Sequence, residues 1–148
     1  MSPEGPVRNR NQPDFQLIET MRWEPGAGFV RARFHIERLL HSAKALGFDA
    51  DPAALGAIME HVPKADQPLR IRFALSRKGD VDVEGAKFTL TATDTVWRLA
   101  IARTRLWSAD SLLRHKTTRR GVYETARAEF PRESVDEVIL LNERGEVC

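Results

Sequence analysis

Two hydrophobic patterns succeed one another in the first half of the chain. Residues 15–23 mix apolar and polar side chains, as a strand with one solvent-facing side does. Residues 24–28, Glu-Pro-Gly-Ala-Gly, are a strong turn signal, and residues 29–30 would return as a short second strand. Across residues 34–48 the apolar side chains recur every three or four positions, which predicts an amphipathic helix that Gly47 ends.

A second helix is predicted shortly after the first. Asp51 is a favoured N-cap and Pro52 a favoured first helical residue, so we expect this helix to extend to about Val62. The hydrophobic period then changes to two. Residues 69–75 alternate apolar and polar side chains, which predicts a half-buried strand, and residues 78–80, Lys-Gly-Asp, would turn the chain.

The second half of the chain predicts short strands and one helix. Strands are expected at residues 81–83, 88–93, 96–102 and 137–141. Residues 117–130 have helical spacing, and residues 142–145 form a hairpin turn before a return strand at 146–148. Strands joined by short turns favour an antiparallel sheet with helices packed against it, so the predicted fold class is α+β.

Composition narrows the class of protein only modestly. With 148 residues, 42% hydrophobic and 30% charged, the chain suits one ordinary domain or two small lobes. A net charge of +2 does not require a polyanionic partner. The single cysteine, Cys148, excludes an internal disulfide and a cysteine-based zinc site, and we expect no metal. No apolar run is long enough to cross a membrane and no signal peptide is evident, so we expect a cytoplasmic protein.

One lysine stands out as a candidate for chemistry. Residues 112–120, Leu-Leu-Arg-His-Lys-Thr-Thr-Arg-Arg, place Lys116 between an apolar pair and a predicted helix. Burial at the edge of a core lowers the pKa of a lysine, because it disfavours the ammonium form. The neutral amine can then form a Schiff base with a carbonyl group. The alternative is a solvated lysine in a basic run, and this segment alone does not exclude it.

Several segments, in order, resemble the class IV aminotransferases, the pyridoxal-phosphate enzymes of fold type IV. Residues 15–22, Phe-Gln-Leu-Ile-Glu-Thr-Met-Arg, are similar to the opening strand of the family, and residues 35–48 to its first helix. Residues 115–118, His-Lys-Thr-Thr, resemble its cofactor-lysine segment, and residues 136–147 the strand and turn that follow. The resemblance covers nearly the whole chain and implies the two-lobed α+β fold of D-amino-acid aminotransferase.

This resemblance also implies how the chain is divided. Residues 1–14 would be a flexible arm, residues 15–106 an N-terminal α+β lobe, and residues 107–148 the start of a C-terminal lobe that carries the cofactor lysine. The family continues with a glutamate that pairs with the pyridine nitrogen and with further groups that bind phosphate. We therefore expect a C-terminally truncated form, with the first lobe complete and the second only begun.

The resemblance assigns roles to three residues. Lys116 would be the catalytic lysine that holds pyridoxal 5'-phosphate. Arg38 would bind the cofactor phosphate, which suits a planar guanidinium with two parallel donors; the alternative is a helix arginine paired with a nearby acid. Arg72 lies where relatives place substrate-facing residues and would meet a substrate carboxylate, unless it is merely a solvent-facing arginine. Glu19 and Arg22 are expected to be structural.

Two further details qualify this assignment. Aminotransferases of the family have a cofactor-binding tyrosine five positions after the lysine, where this chain has Gly121, so that contact is in doubt. Tyr123 is expected to pack instead. His35 and His41 flank Arg38 and are expected to be surface or supporting groups.

Within the family, the chain is most similar to aminodeoxychorismate lyases, which implies elimination of pyruvate from 4-amino-4-deoxychorismate to give 4-aminobenzoate for folate synthesis. A branched-chain or D-amino-acid transaminase is the alternative. An inactive or non-catalytic binding domain is a third reading, motivated by the arginines at positions 8, 10, 114, 119 and 120. No basic stripe interleaved with aromatic residues supports nucleic-acid binding. Because members of the family are usually homodimers, the resemblance implies a homodimer that acts on a small amino substrate.

Overall fold

The computed structural model describes residues 14–62 and 65–148 and folds them into two β-sheets with helices. Residues 1–13, most of the predicted flexible arm, lie outside the described residues. The strands are β1 (Leu17–Glu24), β2 (Gly28–Phe29), β3 (Leu69–Leu75), β4 (Val81–Lys87), β5 (Leu99–Leu106) and β6 (Glu137–Asn142). The helices are α1 (Ala32–Leu46), α2 (Pro52–Glu60), a 3-10 helix (Ser111–Arg114) and α3 (Gly121–Arg127). No described helix is both long and apolar enough to cross a membrane.

The first sheet is antiparallel, in the order β2-β1-β3-β4, as expected for strands joined by short turns. The register pairs Leu17 with Leu75 and Met21 with Ile71. Directly opposed residues share a face of a sheet. The face that bears these residues packs on α1 and α2 and forms the main core. The largest fully buried apolar side chains of this core are Phe73, Leu17, Met21, Leu55, Ile71 and Leu75.

The helix-end signals of the sequence are confirmed. Gly47 takes a left-handed conformation (φ 69°) after α1, and its N–H donates to the carbonyl of Ala43. A residue with a side chain is strained at such a φ, which is why glycine suits this position. The Asp51 carboxylate caps α2 by accepting a hydrogen bond from the N–H of Ala53 at 2.9 Å. Both helices therefore begin and end within two residues of the predicted positions.

The second sheet differs from the expectation, because its two strands, β5 and β6, are parallel. A parallel pair needs a long crossover connection, and the 3-10 helix and α3 lie within it. A small core of Ala102, Ala126 and Val138 joins α3 to the two strands. The lobe boundary near residue 107 stays a prediction, although β5 pairs with a strand on the other side of that boundary.

Three predicted elements differ from those in the structure. The strand at residues 88–93 is wrong: β4 continues to Lys87, and the following residues find no partner strand, with Leu90 exposed. The helix expected over residues 117–130 is only the seven-residue α3, because the first positions are extended beside β1. The return strand at 146–148 is reduced to a single bridge between Leu141 and Val147.

Candidate active site

A buried carboxylate, that of Glu19, joins β1 to α1. This side chain is only 1% exposed, and Arg38 donates to it from Nε and Nη2, each at 2.6 Å. His35 Nδ1 lies 2.8 Å from Oε2 of Glu19, the oxygen that also accepts from Nη2 of Arg38. Burial alone would raise the pKa of Glu19, but the hydrogen bonds from Arg38 and His35 outweigh it and hold the pKa below its usual value. Glu19 is therefore an ionised group at the edge of an apolar core.

Local structure explains why these three residues meet. Glu19 is directly opposite Phe73 in the β1–β3 register, so it lies on the helix-covered face of the sheet. His35 and Arg38 are three positions apart on α1, which places them on one side of the helix. The strand thus presents one acid to a pair of basic side chains on the helix above it.

The segment that carries Lys116 extends the first sheet beside β1. The N–H of Ile18 donates to the carbonyl of Lys116 at 2.9 Å, and Leu17 and Thr117 form an antiparallel bridge. Thr117 is buried, whereas Lys116 is half-buried. Backbone pairing with a core strand fixes the position of the lysine in a way that a surface loop would not.

The residue before the lysine is tied to α1. Nδ1 of His115 lies 2.9 Å from Oγ of the buried Ser42, and the His115 ring stacks on His41 with the ring centroids 6.4 Å apart. Burial, together with the charges of His41 and Arg114, lowers the pKa of His115. The lysine segment is therefore held by β1 through its backbone and by α1 through this imidazole.

The surroundings of Lys116 lower the pKa of its amine. Burial is the largest influence and lowers the pKa of Lys116, whereas the negative charge of Glu19 raises it. The positive charges of Arg38, Arg120 and Arg70 lower the pKa further, so the net direction is downward. A lysine with a depressed pKa has a larger fraction of nucleophilic amine near neutral pH.

Lys116 and Arg38 line one cavity of about 500 Å³. Its walls are Arg38, Asp110 and residues 112–117 and 119–123. The volume lies in the range typical of small-molecule sites, ~300–1,000 Å³. The Arg38 side chain is 48% exposed, and its pair with Glu19 leaves Nη1 unused. The cationic lining and an amine with a lowered pKa therefore fit a small ligand that carries a phosphate and a carbonyl group.

Arg72 is not among the described residues that line this cavity. Arg72 lies on the other face of β3, where its Nη1 is 3.6 Å from Oε2 of Glu84. Gly121 lines the cavity, and a side chain at this position would meet open space. Tyr123 lines the cavity too, with the Arg120 guanidinium 5.1 Å from its ring centroid. The substrate role of Arg72 stays a prediction.

Sequence reasoning set Glu19 aside as structural, but it is the residue that joins Arg38 and His35. The sequence contains a signal for this. Positions 17, 21 and 23 are apolar with strand periodicity, and Glu19 interrupts the series on the core-facing side. A carboxylate at such a position needs a cationic partner, because a buried charge is otherwise costly.

A larger cavity, of about 650 Å³, lies between α2 and strands β3 and β4. Its lining is mainly apolar, with Ile58, Val62, Ile71 and Val83 among its walls, and His61 is the one titratable side chain among its described lining residues. With this lining, the cavity offers few groups for chemistry and is best described as a packing gap at the edge of the core. The candidate chemistry is at Lys116.

The chain is similar to known proteins over most of its length. The sequence profile of the family described as amino-transferase class IV matches residues 16–148. A candidate amino-acid aminotransferase from Mesorhizobium loti is 47% identical to the chain; the TM-score is 0.87, and the match covers 91% of this chain and 66% of that protein. A search of curated proteins found no match.

Two more distant structures share the fold. A candidate branched-chain amino acid aminotransferase from Thermotoga maritima has 23% identity and a TM-score of 0.73, covering 90% of this chain and 50% of its own. A candidate 4-amino-4-deoxychorismate lyase from Legionella pneumophila has 16% identity and a TM-score of 0.68, covering 95% of this chain and 61% of its own. The chain thus spans between half and two thirds of the length of these relatives.

Proposed function

Because this chain belongs to the class IV aminotransferase family, whose members depend on pyridoxal phosphate, we propose that it binds this cofactor at Lys116 and transforms a small amino substrate. The observation that carries the proposal is the shared cavity. Lys116 has a lowered pKa, and Arg38 lines the same walls with a guanidinium nitrogen unused by Glu19. A homodimer and a cytoplasmic location are part of the same proposal.

Each residue has a distinct task in this proposal. Arg38 binds the cofactor phosphate, and Glu19 holds the Arg38 guanidinium in one orientation by accepting two of its N–H groups. Lys116 would hold the cofactor through Nζ, and its amine would move a proton at the substrate carbon. When bound, the cofactor supplies the electron sink for that carbon. The half-buried position of Lys116 limits the water that competes for the amine.

Elimination of pyruvate from 4-amino-4-deoxychorismate, which gives 4-aminobenzoate, is the reaction we favour. Residues 115–118 resemble the cofactor-lysine segment of the family, and within the family the chain is most similar to aminodeoxychorismate lyases. Gly121 supports this choice, because it leaves open space where aminotransferases of the family carry a tyrosine. In the favoured reaction Lys116 acts as both base and acid at a single substrate, and no second amino acceptor is needed.

Amino transfer is the second candidate. The Mesorhizobium loti relative, 47% identical, is described as a candidate amino-acid aminotransferase. Transfer would use the same Lys116 and Arg38, since both reactions begin with loss of a proton next to the amino group. The two reactions differ in their products. The lyase releases pyruvate and 4-aminobenzoate, whereas the transaminase releases the keto acid that corresponds to its amino substrate.

The first test is cofactor attachment. Pyridoxal phosphate added to the purified 148-residue chain should give a visible absorption band, and borohydride reduction should fix the cofactor on Lys116 as shown by peptide mass spectrometry. Lys116→Ala should lack the band, and Lys44→Ala, which removes an exposed lysine of α1, should retain it. No band in the parent chain, or a cofactor fixed on another lysine, would refute the proposal in favour of a non-catalytic domain.

A second test separates the two reactions. The cofactor-loaded chain is mixed with 4-amino-4-deoxychorismate, and pyruvate is measured with lactate dehydrogenase. In parallel the loaded chain is mixed with glutamate or a branched-chain amino acid, and conversion of the cofactor to its amine form is followed by absorbance. Pyruvate release without this conversion supports the lyase, whereas conversion without pyruvate release supports the transaminase.

A further inference from the structure

Lys116 and Arg38 line one cavity but belong to different elements, and β1 is joined to both of them. On one side, the N–H of Ile18 donates to the carbonyl of Lys116 at 2.9 Å. On the other side, Arg38 of α1 donates twice, each time at 2.6 Å, to Glu19. Because Ile18 and Glu19 are neighbours on β1, the lysine segment (residues 115–118) and α1 are both attached at the same point of the strand.

A direct contact between α1 and the lysine segment closes this arrangement into a frame. Nδ1 of His115 lies 2.9 Å from Oγ of Ser42, and the His115 ring stacks on His41. Ser42 follows Arg38 by four positions, so the two residues lie on the same side of α1. The helix that carries the candidate phosphate-binding residue therefore also holds the residue that precedes the lysine.

The Ser42 hydroxyl is explained by this contact and not by packing. Ser42 is buried in the interior of α1, beside Leu39 and Ala43 of the main core. Burial of a hydroxyl costs free energy unless the group is hydrogen-bonded, and an alanine such as Ala43 would avoid that cost. The hydroxyl finds its partner in His115, which itself lines the cavity of Lys116.

The sides of the frame differ in the groups that form them. The lysine segment is bound to β1 by backbone hydrogen bonds, at the carbonyl of Lys116 and at the N–H of Thr118. It is bound to α1 by the side chains of His115 and Ser42. A substitution can therefore release the segment from α1 while its pairing with β1 remains. Such a release would allow the distance between Lys116 and Arg38 to vary.

We propose that His115 is a positioning residue whose hydrogen bond with Ser42 fixes the separation of Lys116 and Arg38, so that one ligand with an aldehyde and a phosphate reaches both. This inference rests on the proposed function, since it takes Lys116 and Arg38 as the two points of attachment. A ligand held at two points gains affinity only when the points match the spacing of its groups. The contact therefore selects a phosphorylated aldehyde over the same aldehyde without phosphate.

The test compares two ligands that differ in the phosphate alone. Pyridoxal phosphate and 5'-deoxypyridoxal carry the same aldehyde, and each is titrated into the purified chain while the visible absorption band is followed. The ratio of the two dissociation constants is the phosphate preference. Ser42→Ala should lower this preference roughly three- to tenfold, about the value of one hydrogen bond, and leave the affinity for 5'-deoxypyridoxal unchanged. A contact that served only folding or only the reactivity of the amine would weaken both ligands equally.

Two variants of His115 separate its hydrogen bond from its ring. His115→Phe keeps a ring to stack on His41 but lacks Nδ1, so it should lose the phosphate preference as Ser42→Ala does. His115→Asn places an amide near the position of Nδ1 and should retain most of the preference. The double variant Ser42→Ala/His115→Phe should be no weaker than either single variant, because both substitutions remove the same contact.

The matched control is Ser76→Ala, which removes a serine hydroxyl bonded to Asp80 in the turn after β3 and should change neither affinity. Hydrogen exchange in the chain without cofactor is a second measurement: the peptide with residues 115–118 should exchange faster in Ser42→Ala than in the parent. Circular dichroism verifies that each variant is folded.

The possible failures can be told apart. Unchanged hydrogen exchange in Ser42→Ala would overturn the inference without any ligand. A parent chain that binds pyridoxal phosphate at Lys116, with the same phosphate preference in Ser42→Ala, would overturn the inference while the proposed function stands. A parent chain that attaches neither aldehyde at Lys116 would refute the proposed function, and this inference with it.

Discussion

The two sheets of this protein are stabilised in different ways. The first sheet buries large apolar side chains against α1 and α2, with Phe73, Leu17 and Ile71 almost completely shielded from solvent. The pair of β5 and β6 has a small core of Ala102, Ala126 and Val138 under α3. Because the hydrophobic contribution scales with the apolar area buried, packing stabilises the first region far more than the second.

Carboxylates bound to backbone compensate in the second region. The register of β5 against β6 is interrupted between Ile101 and Arg105, which frees backbone N–H groups from the sheet. The Glu129 carboxylate accepts from the N–H of Arg103 at 2.7 Å and from the N–H and hydroxyl of Thr104 at 2.8 and 2.6 Å. A charged acceptor thus replaces the hydrogen bonds that the irregular strand pairing leaves unmade.

Glu19 and Glu129 show what this difference teaches. The Glu129 carboxylate accepts hydrogen bonds mostly from backbone N–H groups, so its role is to stabilise the backbone of β5. Glu19 accepts from the side chains of Arg38 and His35, and Arg38 lines the cavity of Lys116. A carboxylate that orients side chains at a cavity points to function, whereas one that satisfies backbone amides points to folding.

The largest effect is expected from the main core. Phe73→Ala should lower the free energy of unfolding by about 3–5 kcal/mol, because it removes a fully buried ring and leaves a cavity. Val138→Ala, in the small core, should cost only roughly 1–2 kcal/mol. Urea unfolding monitored by circular dichroism measures both. Equal losses would show that the two regions do not differ in packing as described.

A smaller effect is expected from Glu19→Gln. The free energy of unfolding should fall by about 1–3 kcal/mol, because the buried network loses its negative charge and one of its two accepting oxygens, while Arg38 can still reach water. The pKa of Lys116 should also fall further, because the negative charge of Glu19 raises it. The pH dependence of pyridoxal-phosphate attachment reports this pKa.

Glu37→Gln is the matched control, since Glu37 is an exposed acid on α1 paired with Arg33. It should change neither the stability by more than a few tenths of a kcal/mol, about the value of one exposed helix pair, nor the pKa of Lys116. If Glu19→Gln behaves like this control, then Glu19 does not organise the site.

Most of the first region was predictable because its signals are local. The alternation at residues 69–75, the cap at Asp51 and the stop at Gly47 each depend on neighbours in sequence, and each is confirmed. The strand predicted at residues 88–93 is wrong because alternation shows what a strand could bury and not whether a partner exists. The parallel pairing of β5 with β6 joins strands about 30 residues apart, which no local pattern reveals.

The candidate site was predictable only in part, for the same reason. Lys116 and Arg38 were identified from segments that resemble a family, and the structure places both on one cavity. The pair of Arg38 with Glu19 and the contact of His115 with Ser42 join residues distant in sequence. The spacing of apolar residues after Lys116 predicted a helix from residue 117. This start is wrong, because pairing with β1 keeps Thr117 extended.

The smallest effect should appear on acidification, at two carboxylates of the second region. Hydrogen bonds from the Thr104 hydroxyl and from the Arg103 and Thr104 amides lower the pKa of Glu129 to about 2, and the side-chain and backbone donors of Arg98 lower that of Asp136 to about 2. Both values lie below those of unfolded chains, roughly 4. The stability they contribute is therefore complete above about pH 4 and is lost as the pH falls toward 2.

Glu129→Gln tests this linkage, because the amide cannot ionise. The variant should be less stable than the parent at pH 7. The difference should shrink at pH 2.5, because the unfolded chain of the parent binds a proton at this carboxylate well before the folded state does. Urea unfolding at the two pH values measures the difference. Glu133→Gln, at an exposed acid of the same region, should give no such convergence. A gap for Glu129→Gln that is unchanged at pH 2.5 would mean that this carboxylate does not stabilise β5, and the contrast between the two regions would then rest on packing alone.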